Sequence, residues 1–133
     1  MNPKAKSRIR VIAYWLSTGI IALETGVGAQ WDLSRSDYVK NIFTHLGYPP
    51  YLLTILGLWK LPAFIVILAP SLRLLKEWAY AGLFFVYSGA VFSHLLAGDK
   101  FSGWVAPFIF AMLTIASWAL RPYSRKFFAV PAS

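Results

Sequence analysis

The chain has 133 residues, of which 58% are hydrophobic and 17% aromatic, with charged residues at only 14%. A soluble domain carries roughly 25% charged residues, so an ordinary soluble fold is excluded and a chain solvated by lipid is implied. The net charge of +8 does not point to nucleic acid, because the basic residues flank apolar runs, where lipid headgroups and topology account for them. The absence of cysteine excludes disulfides, thiolate metal sites and dithiol redox chemistry within this chain.

Lys4, Lys6, Arg8 and Arg10 lead into a first apolar run, 9–29. A helix needs about 20 such residues to cross a bilayer core. Val27-Gly28-Ala29 resembles a signal-peptide cleavage site, but the length of the run and the glutamate inside it favour a retained span. Residues 30–50 are polar and turn-rich, and Ser36 with Asp37 predicts the start of a short interfacial helix reaching about Leu46. Trp31, Tyr38, Tyr48 and Tyr51 suit an aromatic belt at headgroup level. A second span, 51–69, is interrupted by Lys60 and Pro62. Residues 70–77 read as a loop, with Glu77 as a carboxylate cap on the helix that follows. The third and fourth spans are 78–97 and 103–120, and Arg121-Pro122 stops the last.

Nine Lys and Arg residues fall on the side of the two termini and three on the other. Basic loops stay in the cytoplasm. The expected fold is therefore all-α: one domain over 1–133, a four-helix bundle, multi-pass in the cell membrane, both termini cytoplasmic.

Glu24, Lys60 and His94 are the ionisable residues inside or at the edge of these spans, with Asp99 just beyond the third. A charge at the bilayer centre costs about 2.5–3.5 kcal/mol on insertion scales, so such groups face the bundle interior and pair. Counting rise from Arg10, Pro50 and Trp78 puts Glu24, the head of Lys60 and His94 at one level, with Asp99 at the rim. A Glu24–Lys60 ion pair is predicted. It serves either helix register or ligand and proton handling, in which His94 also takes part. On the third span Gly82, Gly89 and Ser93 share a face suited to close helix packing, beside a stripe of Tyr87, Ala90 and His94. On the first, Tyr14, Ser17, Ile21, Glu24 and Gly28 share a face. No nucleotide-binding fingerprint, nucleophile elbow or metal-spaced histidine pair occurs. Neither a metal site nor a covalently bound cofactor is expected, and a haem between His45 and His94 would require their helices to meet.

Several pieces occur in an order that resembles the DoxX-like membrane proteins. They are the first-span Glu24, Leu46-Gly47-Tyr48-Pro49, Ile55-Leu56-Gly57-Leu58-Trp59-Lys60-Leu61, Lys76-Glu77-Trp78-Ala79-Tyr80-Ala81-Gly82, and Ser88-Gly89-Ala90 with Ser93-His94. The resemblance implies a compact four-helix membrane bundle. The wider family includes a subunit similar to part of a thiosulfate:quinone oxidoreductase, members of redox-stress complexes, and a branch similar to receptor assembly chaperones. Without cysteine, sulfur-carrying chemistry on this chain is not expected, whereas contact with a quinone or docking to a protein partner is compatible with it. Three functions follow as expectations. The chain is a small-ligand or quinone-handling component of a membrane redox system, a non-catalytic scaffold or assembly factor, or a small proton-coupled transporter. A membrane protein partner or a homo-oligomer accompanies each.

Overall fold

The computed structural model describes residues 1–127. Five helices follow one another: α1 Pro3–Ser34, α2 Asp37–Leu46, α3 Tyr51–Leu68, α4 Arg73–Leu96 and α5 Phe101–Leu120, with a 3-10 turn over Tyr123–Arg125. Four of them, all but α2, are long and apolar enough to cross a membrane. They alternate in direction, so the start of α1 and the end of α5 lie at one end of the bundle, the termini end, and α2 lies at the other. In cross-section α1 packs on α3 and α5, and α4 packs on the same two, leaving α1 and α4 on a diagonal. The α3–α4 seam is the slightest of the four.

At the termini end α1 and α4 exceed their apolar runs. Asn2 caps α1 by accepting from the Lys4 amide (3.1 Å), and Pro3 occupies the first turn, where its missing N–H costs nothing. At the other end α1 continues five residues past the expected boundary to Ser34, where Arg35 adopts a left-handed conformation. The expected loop at 70–77 is largely helix, because α4 starts at Arg73. Lys76 explains this extension. It is fully buried, and its ammonium donates to the carbonyls of Val66, Ile67 and Ala69 at the C-terminal end of α3. Those carbonyls have no partner within their own helix. Arg125 adds a second donor to Ile67 and Ala69 at 3.3 and 3.1 Å. Glu77 is therefore not a helix cap. It lies in the second turn, paired with Arg121 at 2.7 Å and accepting from the Trp118 indole at 2.9 Å, and it ties α4 to α5.

The interfacial helix α2 has the expected bounds, with Ser36 at its N-cap position, although the Ser36 hydroxyl makes no capping bond. Val39 is its buried anchor.

Close packing by glycine occurs in α1 and α3, not in α4. A Cβ at Gly57 would come within 2.6 Å of the Leu33 side chain, and one at Gly26 within 3.1 Å of the Phe64 ring. At Gly82 and Gly89 nothing lies within 4 Å. Outward-facing Leu23, Phe85 and Phe92 are each more than half exposed, as a lipid-facing surface requires.

Candidate functional site

The inward face of α1 carries Tyr14, Thr18, Ile21, Thr25, Gly28 and Asp32, all buried, at alternating steps of four and three residues. This is one continuous stripe down a helix. It meets α4 and α5 in two hydroxyl layers. Thr18 bonds Ser117 at 2.6 Å, and Ser117 bonds Tyr80 at 2.8 Å. Farther along, Thr25 bonds Tyr87 at 3.1 Å. Between the two layers lies apolar packing that includes Ile21, Leu83 and Ala111.

These bonds set the register of α1 against α4. Thr18 and Tyr80 share a layer, Thr25 and Tyr87 share the next, and each pair is 62 residues apart. Asp32 and His94 have the same separation, so His94 is level with Asp32. Glu24 is eight residues below Asp32, about 12 Å along the helix. The expectation of one level for Glu24 and His94 is thus corrected. It took Trp78 as the start of α4's crossing, level with Arg10, whereas Tyr80 is level with Thr18.

By their contacts the four candidates divide into two clusters. In the first, the Lys60 ammonium donates to Asp32 Oδ2 at 2.7 Å, with both side chains nearly buried. The predicted ion pair of Lys60 is thus made with Asp32 and not with Glu24. Glu24 stands close by and interacts electrostatically with both. A Cβ at Gly28 would lie 3.3 Å from Lys60 Nζ and 3.6 Å from Glu24 Oε1. The bare backbone of Gly28 therefore leaves the space that the lysine head and the second carboxylate share. Tyr87, bonded to Thr25, interacts electrostatically with the same two carboxylates. The signal for Asp32 was present in the alternating stripe of α1, but a span ending at 29 left it in a loop.

The second cluster closes the α2 end. His94 Nδ1 lies 2.6 Å from Asp99 Oδ2, and His45 Nε2 lies 2.7 Å from Asp99 Oδ1. One carboxylate on the α4–α5 turn thus joins an imidazole of α4 to an imidazole of α2. The hydrogen bond from His94, and then that from His45, holds the Asp99 carboxyl below the ordinary aspartate range. Tyr48 and Ser93 add a hydroxyl pair at 2.5 Å. His45 and His94 do approach each other, with a carboxylate between them. Among the described residues no group of three or more acidic, histidine or cysteine side chains is arranged to hold a metal ion.

Lys60 also lines a groove of about 360 Å³ on the slight seam between α3 and α4, whose other walls include Trp59, Ala63, Ala79, Gly82 and Val86. The lysine therefore belongs to the buried carboxylate cluster and to a groove on the bundle's outer, lipid-facing side.

Four apolar helices around a buried polar stripe define a multi-pass α-helical membrane protein. Residues 16–117 match the DoxX-like family, and the chain belongs to it. No curated protein and no solved structure matches the chain.

Proposed function

We propose that the chain is the ligand-handling component of a membrane redox system, taking a small lipid-soluble ligand of the quinone class at Lys60 in the cell membrane. The observation that carries this reading is the double position of Lys60, whose ammonium is bonded to buried Asp32 and whose side chain is among the walls of the α3–α4 groove. A lysine ammonium has three donors, and Asp32 takes one. The remaining donors suit a quinone oxygen. Asp32 keeps the lysine charged and oriented, and Glu24, outside the direct ion pair, is the group free to exchange a proton with the ligand. Reduction of a quinone to a quinol takes two electrons and two protons. The electrons would come from a partner protein, and Glu24 relays protons one at a time.

The test is binding of a benzoquinone probe to the purified protein in lipid nanodiscs. Glu24→Gln should preserve the fold and abolish the pH dependence of binding. Lys60→Met combined with Asp32→Asn should abolish binding itself while keeping the helices paired. A scaffold role, supported by the same ion pair joining α1 to α3, makes the opposite claim: both variants would keep every phenotype of the wild type, and the redox reading would then be abandoned.

A further inference from the structure

The facing positions of α1 and α4 recur every seven residues, as Thr18, Thr25 and Asp32 on α1 and Tyr80, Tyr87 and His94 on α4. Seven residues are nearly two helical turns, so each set keeps one face of its helix. The first two layers are bridged across the bundle. Tyr80 reaches Thr18 through Ser117, and Tyr87 reaches Thr25 directly at 3.1 Å. The third layer differs. Asp32 is turned to Lys60 and His94 to Asp99, and among the described residues no hydrogen bond joins Asp32 to His94. A tyrosine is long enough to span this diagonal, whereas an imidazole opposite a carboxylate falls short. Both sides of the unbridged layer are polar and shielded, with the side chains of Asp32 and Lys60 at 3% and 13% exposure and that of His94 at 14%.

Asp99 fixes what His94 can offer in this layer. Its carboxyl, held below the ordinary aspartate range, is ionised at neutral pH, and a carboxylate accepts hydrogen bonds without donating any. The 2.6 Å contact with His94 Nδ1 therefore puts a proton on Nδ1. In the neutral imidazole the lone pair is then on Nε2. His45 donates to the other oxygen of Asp99 at 2.7 Å and helps to hold the carboxylate in place.

We infer that His94 is the second pole of the ligand site, with Nε2 accepting a hydrogen bond from a hydroxyl at the far end of a ring whose near oxygen meets Lys60. The inference rests on the ligand site proposed above and adds the form of the ligand that the site prefers. The Lys60 ammonium is a donor and needs an acceptor oxygen, whereas His94 Nε2 is an acceptor and needs a donor. A 1,4-dihydroxyaromatic ring, the reduced form of the quinone class, satisfies both, because a hydroxyl both accepts and donates. The oxidised quinone carries acceptors at both ends and leaves Nε2 unpaired. Asp99 is a positioning residue in this arrangement, since it acts through the imidazole.

The experiment compares hydroquinone with benzoquinone, titrated without oxygen against the protein in phosphatidylcholine nanodiscs. Affinity is expressed as mole fraction in the bilayer, so that partitioning into lipid cancels, and binding is followed by quenching of tryptophan fluorescence. The wild type should favour hydroquinone by about fivefold, the effect of one net hydrogen bond. His94→Phe, which keeps a ring but removes the lone pair, should bring the ratio near one and leave benzoquinone affinity unchanged. Asp99→Asn supplies the second variant. With His45 donating to the amide oxygen, its NH2 group faces Nδ1 and moves the imidazole proton to Nε2, so the ratio should fall to one or below. A merely structural role for Asp99 would weaken both probes alike and leave the ratio in place. A fivefold ratio that survives either variant in folded protein overturns the contact. Lys60-dependent binding of both probes with equal affinity in the wild type sinks the His94 contact alone. Failure of both to bind the wild type sinks the ligand site and the contact together.

Discussion

Lys60 and Asp32 illustrate how strongly a buried charge depends on its partner. Removing one member of a buried pair leaves the other uncompensated, at about 3–5 kcal/mol. Lys60→Met alone should therefore lower stability by roughly that amount, and adding Asp32→Asn should recover most of it. Chemical unfolding in detergent, run as a double-mutant cycle, measures both. Glu24→Gln, outside the direct pair, should change stability much less. The site at Asp99 sits outside the spans and behaves differently. Its carboxyl is held low by the two imidazoles. Its contribution is thus complete above the ordinary aspartate value of about 3.9 and is lost as the pH falls through the lowered value in the folded protein. The protection of α2 amides, relative to their intrinsic exchange rate, should fall only in that acid range, and Asp99→Asn should lower it at every pH. Of these residues Glu24, Lys60, His94 and Asp99 were legible as unusual charges in a lipid-solvated chain. Asp32 was not, and His45 entered only as a haem ligand whose helix would have to meet that of His94, because their importance depends on α1 outrunning its apolar stretch and on α2 folding back over the bundle.

At the scale of helices, the glycines separate packing from openness. Gly57 faces Leu33 at a distance no real Cβ accepts. Gly57→Val should force α1 and α3 apart at a cost of about 1–3 kcal/mol. Gly89→Ala meets open space and should be neutral or stabilising by up to about 1 kcal/mol, the difference in helix propensity. Thermal unfolding of the two variants side by side checks the contrast. Spacing alone showed that Gly82, Gly89 and Ser93 share a face, but spacing does not say which neighbour that face meets. The spans themselves were legible because an apolar run of bilayer length leaves a chain few alternatives. Their ends were less so. Lys76 reads as a loop charge until the carbonyls of α3 are there to receive it.

For the whole molecule, the polar stripe of α1 is continuous in sequence but interrupted in space. The packing of Ile21, Leu83 and Ala111 separates the Thr18–Ser117–Tyr80 layer from the Thr25–Tyr87 layer. A proton reaching Glu24 therefore has no hydroxyl chain onward to the termini end among the described residues. Vesicles containing the protein should show no proton flux above lipid background with a pH-sensitive dye. Flux that disappears in Glu24→Gln would instead establish the transport reading. The register of α1 against α4 decides this arrangement, and it rests on hydroxyl pairs that no count of apolar residues could locate.

The order in which these contacts join distant parts of the chain bears on how the protein enters the membrane during synthesis. Asp32 and Lys60 are 28 residues apart, on the first two spans, whereas Thr18 and Ser117 are 99 apart. The charged pair can thus neutralise itself as soon as the second span leaves the ribosome, while the hydroxyl layer waits for the last. A nascent chain ending after α3 should already be integrated, with Lys60 matched. The same truncated chain carrying Asp32→Ala should insert its second span less efficiently, which glycosylation mapping of staged translation products would detect.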